Sequence, residues 1–471
     1  MGNGLSKRAG PAMIDAKSNW GVWEGWGTSL AWWAKRFGDR NDLADVFFTM
    51  NDVAFGTQKL PGLGFNIVRY NAGACSWNTV DGQKMNTSPK MRPSRQIEAF
   101  WIDWASTDPK SASWNWEADA NQRAMLGKAR DRGADRFELF SNSPVWWMCK
   151  NHNPAGDNNG LDNLQAWNVT QHGVNLITIL EHARDNWGIN FESIAPFNEP
   201  MALWWRGDNG TQEGCHMDAG ATQGPLINIL RGELDKRGLK SIMIAASDEN
   251  TYDRAKDTWE AIGSTALANV GRINVHGYQN GQGRRDLLYS YSASRNQKLW
   301  NSEYGENDGS GRSLVSNLIL DLRWLHPNAW VYWQVLDGGG WGLIDADNET
   351  GRLGTATQKY FVLAQFCRHI RPGMRILDGG ADNVIAAYDA QRQKLVIVAV
   401  NWGSAQNLVF DLSRFSQPSV NGTPVVRWRT QIGTGDQYVK YPNDTHVRGG
   451  QITSWFESNT VHTFEVEQVV V

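Results

Sequence analysis

Eight short apolar runs rich in β-branched and aromatic residues constrain this chain more than any other feature. They fall at 20–26, 65–70, 137–141, 193–197, 242–246, 272–276, 298–301 and 329–334. Helix-like stretches lie between them, among them 116–130, 171–186 and 224–237. In the second of these, Leu176, Ile179, Leu180 and Ala183 recur at helical spacing and share one face. Strand–helix alternation repeated eight times predicts an α/β fold with a parallel sheet closed as a (β/α)8 barrel. The span from 20 to 370 exceeds the roughly 250 residues typical of such a barrel, so long loops are expected at its catalytic face.

After Thr355 a helical pattern runs to Ile370, and Arg371-Pro-Gly373 ends it. The remainder changes character. Short strand-like runs at 384–388, 394–400, 408–412, 425–430, 453–456 and 460–466 are separated by turn residues, with no helical pattern between them. This predicts a C-terminal all-β sandwich over 374–471, beside a barrel over 19–373. The first thirteen residues or so are Gly-rich and basic without an apolar h-region. They do not read as a signal peptide and stand outside the fold argument.

Two of the eight runs end at an acid. Phe191-Glu-Ser-Ile-Ala-Pro-Phe-Asn-Glu-Pro200 leads to Glu199, and Lys298-Leu-Trp-Asn-Ser-Glu-Tyr-Gly-Glu306 leads through Glu303. A parallel barrel places its chemistry at the carboxyl ends of its strands, so both acids can face one pit. Two such carboxyls are what cleavage of a glycosidic bond needs. Either acid alone would more often be a helix-start acid; the pair on two strands carries the argument. Asn198 is a candidate partner for a sugar 2-hydroxyl. Pro200 turns the chain out of the strand. Tyr278, in His276-Gly-Tyr278, and Arg69 are expected to keep Glu303 ionised while Glu199 stays protonated. Glu306 is a rival nucleophile already in Gly-rich loop sequence. Glu138 and Asp248 rank as structural or sugar-binding, and His216 and His326 as satisfied histidines.

Composition narrows the function classes. A net charge of −3 gives no sign of a nucleic-acid or anionic-membrane partner. No stretch approaches the ~20 apolar residues of a membrane span. Cys75, Cys149, Cys215 and Cys367 are too widely spaced for a zinc motif, so no metal and no cofactor is expected; one or two disulfides are compatible with the spacing. Sequons at Asn86, Asn168, Asn209, Asn348, Asn421 and Asn443 favour secretion. Trp is unusually common, at 25 residues. Indole faces hold sugar rings, although any one Trp is equally a core residue. Trp26, Trp33, Trp147, Trp205, Trp333 and Trp341 are the candidate platforms.

At these residues the chain resembles glycoside hydrolase family 30, of clan A. Four blocks carry the resemblance: Gly25-Trp-Gly-Thr-Ser-Leu-Ala-Trp-Trp33, Gly64-Phe-Asn-Ile-Val-Arg-Tyr-Asn71, Ala195-Pro-Phe-Asn-Glu-Pro200 and Leu299-Trp-Asn-Ser-Glu303. The helix end His369-Ile-Arg-Pro-Gly373 is similar to the family's passage from barrel to side sandwich. The resemblance implies a retaining mechanism with Glu199 as acid/base and Glu303 as nucleophile, and a sandwich that takes a strand from about residues 13–18. Within the family, Asn19-Trp-Gly-Val-Trp-Glu-Gly-Trp-Gly27 and the doubled Trp32-Trp33 look like fungal endo-β-1,6-galactanases. That implies a β-1,6-galactan substrate from arabinogalactan-protein side chains, met by a secreted monomer.

Other readings make different demands. A β-1,6-glucanase, xylanase or glucosylceramidase would keep the fold and both acids. A lipid substrate would favour an exposed apolar patch, for which a mean hydropathy of −0.50 gives no support. A non-catalytic carbohydrate-binding barrel would be marked by loss of an acid. A metal-dependent hydrolase needs His and Asp ligands at strand ends, and only His276 of nine His is expected there.

Overall fold

The eight strands of the computed structural model close into one parallel barrel. They are β1 (Gly25–Ser29), β2 (Ile67–Asn71), β3 (Arg136–Phe140), β4 (Ser193–Ala195), β5 (Met243–Glu249), β6 (Arg272–His276), β7 (Lys298–Tyr304) and β8 (Ala329–Tyr332). Each pairs with its neighbours in chain order, and β8 pairs back on β1, Ala329 opposite Gly25. The structure describes residues 10–471, so most of the Gly-rich, basic start lies outside the described residues.

Helices return the chain between strands: α1 (Ala120–Arg130), α2 (Val169–His182), α3 (Gly224–Lys236), α4 (Tyr252–Ala261) and α5 (Arg285–Ala293). On α2 the stripe is real: Leu176, Ile179 and Leu180 are buried, as is Ala183 in the π-helical turn that follows. The loops on the carboxyl side are long. The one after β2 runs to α1 at Ala120. The one after β8 folds into a three-stranded patch, Leu336–Asp337, Ile344–Asp347 and Arg352–Ala356.

The first predicted strand is displaced. Its opening half does not enter the barrel: Trp20 N–H donates to Ile376 O at 2.9 Å and Trp23 N–H to Met374 O at 2.8 Å. Gly25 breaks the run with φ +143 and has Asn66 where a Cβ would stand. Two short pairings, one on each side of a glycine, read as one strand in sequence.

Contacts divide the chain into two compact units. One holds Gly25–Gly309 and Pro327–Thr357, the barrel strands and their carboxyl-side loops. The other holds the described residues up to Glu24, with Ser310–His326 and Gln358–Val471. This second unit contains α6 (Arg312–Leu320), α7 (Gln358–Cys367) and the strands after 373. Six of those strands form one antiparallel sheet. A four-stranded sheet takes Ala12–Met13 as a parallel edge beside Gln406–Asp411. Their shared core is apolar, built on Ile14, Leu377, Leu395, Ile397, Phe410, Ile452, Phe456 and Phe464. Strands Arg375–Asp378, Val439–Tyr441 and Val447–Arg448 escape the sequence reading because they are short or polar. All four cysteines are buried free thiols.

Candidate active site

Beyond Ala195 the chain runs through Pro196, Phe197 and Asn198 to Glu199, whose N–H donates to Asp248 O of β5 at 2.8 Å. Glu199 sits at φ +46, a left-handed conformation uncommon for a side-chain-bearing residue and a mark of a constrained site. Glu303 lies within β7. The β6–β7 register shifts between Val275 and His276, setting His276 opposite Glu303. One carboxylate oxygen from each glutamate and one His276 nitrogen all lie within 4.8 Å of one another.

Each acid has a different escort. Glu303 Oε2 meets Arg69 Nη1 at 3.2 Å, and Glu303 Oε1 accepts from Tyr278 OH at 2.9 Å. Glu199 Oε1 accepts from Asn250 Nδ2 at 2.9 Å and from His276 Nδ1 at 3.0 Å. His276 Nδ1 is also 3.4 Å from Glu303, and His276 Nε2 is 3.3 Å from Asp248.

Beneath the acids the barrel interior is a stack of buried charge. Arg69 Nε pairs with Glu138 at 2.8 Å and Arg69 Nη2 with Asp248 at 3.0 Å. Glu138 also takes Arg272, Asn274 and Ser193. Ser302 Oγ donates to Asp248 at 2.5 Å, and the Arg272 guanidinium lies 3.4 Å over the Trp300 ring. Buried charges persist only when paired and hydrogen-bonded, and these are.

The stack sets the ionisation of the site. Burial alone would lower His276, but Glu303, Asp248 and Glu199 outweigh it and raise the imidazole to about 10. Burial pushes Asp248 up, yet Arg69, His276 and Ser302 hold it at about 2. Burial raises Glu303; His276 and Arg69 pull it back, Glu199 pushes it up again, and Tyr278 pulls it down, leaving it above the ordinary carboxyl range. Arg69 and Tyr278 thus act on Glu303 in the expected direction, moderating its rise without reversing it. Burial of its hydroxyl, then Glu303 and Glu199, keep the Tyr278 phenol protonated and able to donate.

Above the acids opens a cavity of about 720 Å³. Asn198, Glu199, Tyr278, Glu303, Trp205, Trp333 and Trp341 all line it. Trp333 is almost fully buried and packs in the cluster of Ala31, Trp32, Ile97, Phe140, Ala195 and Ala245. Three expected platforms fail. Trp26 is buried against Trp330. Trp33 is buried with its indole N–H on Ser29 O at 2.8 Å. Trp147 is buried edge-on to Trp101 with its N–H on Trp101 O at 3.1 Å. Each is a core residue, and in Trp33 and Trp147 the indole N–H is satisfied there, the usual fate of a large aromatic. Arg69 and His276 are fully buried as well and touch the acids rather than the cavity. Glu306 lies outside the cavity and accepts from Asp308 N at 2.6 Å. Glu138 and Asp248 are internal. His216 bonds Ala202 O, and His326 bonds Leu322 O.

The sequence reading missed Asn250, Trp204, Asp337, Gln334, Lys90 and Arg95, which also line the cavity. Asn250 could have been flagged as a polar residue just past a barrel strand; Trp204 stands beside a Trp that was singled out. Lys90 and Arg95 lie deep in the β2 loop, where no periodic signal exists. Glu199, His276 and Glu303 are close enough to share a cation. With its imidazole raised to about 10, His276 is itself the cation between the two carboxylates at neutral pH.

Comparison with known proteins gives a consistent result. Residues 12–266 match the family model described as O-Glycosyl hydrolase family 30. An endo-beta-1,6-galactanase of Hypocrea rufa is 58% identical over 458 residues, covering 97% of this chain and 95% of that protein. A conserved exported protein from Bacteroides fragilis superposes with a TM-score of 0.76 at 18% identity, over 96% of this chain and 99% of that one. A glycoside hydrolase family 30 subfamily 8 xylanase from Clostridium acetobutylicum gives 0.70 at 19%, over 97% and 99%.

Proposed function

This chain belongs to O-glycosyl hydrolase family 30, and on that premise we propose that it is a retaining endo-hydrolase of β-1,6-linked galactan. The observation that carries the reaction type is the close approach of Glu199 and Glu303, within 4.8 Å oxygen to oxygen across an open cavity. Retaining enzymes hold their carboxyls ~5–5.5 Å apart, whereas inverting enzymes leave ~6.5–9.5 Å for a water.

In this reading Glu303 attacks the anomeric carbon while Glu199 gives its proton to the departing glycosidic oxygen. The C–O bond to the leaving sugar breaks and a glycosyl ester to Glu303 forms. Water then adds to the anomeric carbon, Glu199 takes its proton, and Glu303 leaves as carboxylate, so the configuration is kept. Arg69 and Tyr278 receive the charge that returns to Glu303. Asn198 Oδ1 is buried without a partner among the described residues, at the cavity wall. It is the acceptor assigned to the sugar 2-hydroxyl.

The galactan assignment is supported by the likeness to the Hypocrea rufa enzyme. Arabinogalactan-protein side chains are the natural source of that linkage. The setting is extracellular and the protein a glycoprotein: Asn86, Asn209, Asn421 and Asn443 are exposed sequons. Asn168 is fully buried and bonded to Gln165, so the folded chain has no room for a glycan there. One chain supplies both acids, which is compatible with a monomer as the working unit. No helix among the described residues is long and apolar enough to cross a membrane.

The test is product analysis on de-arabinosylated β-1,6-galactan and on β-1,6-glucan, with the anomer released followed by NMR. Short galacto-oligosaccharides appearing first as the β-anomer support the reading. Cleavage of glucan alone removes the galactan assignment, an initial α-anomer removes the retaining mechanism, and binding without cleavage removes the enzyme.

A further inference from the structure

The Trp204-Trp205 pair divides into a foot and a platform. Trp205 is 4% exposed and donates its indole N–H to the Glu199 carbonyl at 2.9 Å. Its ring lies so close to Gly214 that a Cβ there would stand 2.1 Å from it. Trp204 is 50% exposed, lines the cavity, and makes no hydrogen bond through its indole among the described residues. The two rings are 6.0 Å apart and inclined by 65°, so the buried ring fixes where the exposed one stands. The loop beneath is pinned by Gly210 N–H to Arg206 O at 2.7 Å and Asn153 Nδ2 to Gly207 O at 2.9 Å. A large aromatic held rigidly in water forgoes its burial energy, and a ligand is the partner that restores it.

Chemistry says which ligand. The proton of Glu199 goes to the oxygen that leaves, so the loop carrying Glu199 faces the leaving sugar. That loop contributes Trp204, Thr211 and Gln212 to one wall. The opposite wall comes from the loop after β8, with Trp333 and Trp341. Strands β4 and β8 are four apart in an eight-stranded barrel, so the two walls face each other across the acids. We propose that Trp204 is the platform of a leaving-group subsite that stacks a pyranose of the departing galactan chain, with Thr211 and Gln212 meeting its hydroxyls. The proposal rests on Glu199 being the acid of the proposed reaction.

The test compares Trp204→Ala and Trp204→Phe with wild type on two substrates: β-1,6-galacto-oligosaccharides, which leave a sugar, and an aryl β-1,6-galactobioside, which leaves a phenol. Trp204→Ala should lower kcat/KM on the oligosaccharides about tenfold more than on the aryl glycoside, an aromatic anchor being worth at least that. Transfer to an added galactose acceptor, measured against hydrolysis, should fall in parallel. Trp204→Phe should recover most of both. Equal losses on the two substrates, or an Ala variant that keeps wild-type transfer, would overturn the subsite while leaving the parent reading intact. A wild type inert toward every β-linked polymer would overturn the parent reading, and the subsite with it.

Discussion

Two buried histidines, one in each unit, have equal burial and opposite chemistry. His276, in the barrel, is surrounded by Glu199, Glu303 and Asp248 and is raised to about 10. His462, in the sandwich, stacks on Phe456 at 3.8 Å, has neither ring nitrogen hydrogen-bonded among the described residues, and is lowered to about 2 by burial, Arg427 and Arg429. One serves as a cation and the other as an aromatic plate. Burial sets only the cost of a charge; the neighbours decide whether the charge is kept. The same contrast separates the two cores, an apolar one between the sheets and a paired ionic one inside the barrel.

The largest expected effect tests whether the ionic core serves chemistry. Glu303→Gln should cut kcat on β-1,6-galactan by at least about 10⁴-fold, since the proposed nucleophile cannot be replaced in part. Turnover above about a hundredth of wild type would make the barrel interior merely another kind of core. Next comes Arg69→Met, which strips one cation from three carboxylates. Breaking a buried pair costs about 3–5 kcal/mol, whereas Ile397→Val between the sheets should cost about 1 kcal/mol. Urea unfolding of both variants would show the gap, and equal midpoints would dissolve it. Tyr278→Phe removes a single donor to Glu303 and should lower kcat about 10²-fold with little change in stability.

The remaining effects lie in pH. His276 is raised above its unfolded value near 6.5, so its contribution to stability is complete below 6.5 and is lost as pH rises toward 10. His462 is lowered, so the unfolded chain binds the extra proton; its neutral burial is undisturbed above 6.5 and destabilises as pH falls toward 2. Unfolding midpoints of His462→Phe should therefore fall less steeply than wild type between pH 6.5 and acid, and match its slope on the alkaline side. A variant with unchanged acid slope would show that His462 keeps its proton when buried.

The sequence displays the barrel because its buried strands alternate with helical stretches; β6 is read to its very ends, Arg272–His276, although only Ile273 and Val275 in it are apolar. It displays Glu199 and Glu303 because a polar residue closing such a run has one place to point. It does not display what depends on a partner distant in the chain. Trp20 and Trp23 look like barrel residues until Ile376 and Met374 claim their N–H groups. Trp33 and Trp204 are both members of a Trp pair in a loop-rich sequence, yet one is buried and the other half-exposed. Asn250 takes its meaning from an oxygen of Glu199, 51 positions away.

The ionic stack has a consequence for how such a barrel can be divided. Arg69 and Glu138 come from the first four strands; Asp248, Arg272, His276 and Glu303 come from the last four. The pairs Arg69–Asp248, Arg69–Glu303 and Arg272–Glu138 all cross that midline. Each half keeps pairings of its own, Arg69–Glu138 in the first and His276–Asp248 in the second, but separation would strip both of every partner across the midline, and a half borrowed from a barrel with a differently ordered interior would bring unmatched charges. The eight strands are in this sense one indivisible salt, and the enzyme can be rebuilt by changing its loops but not by exchanging its halves.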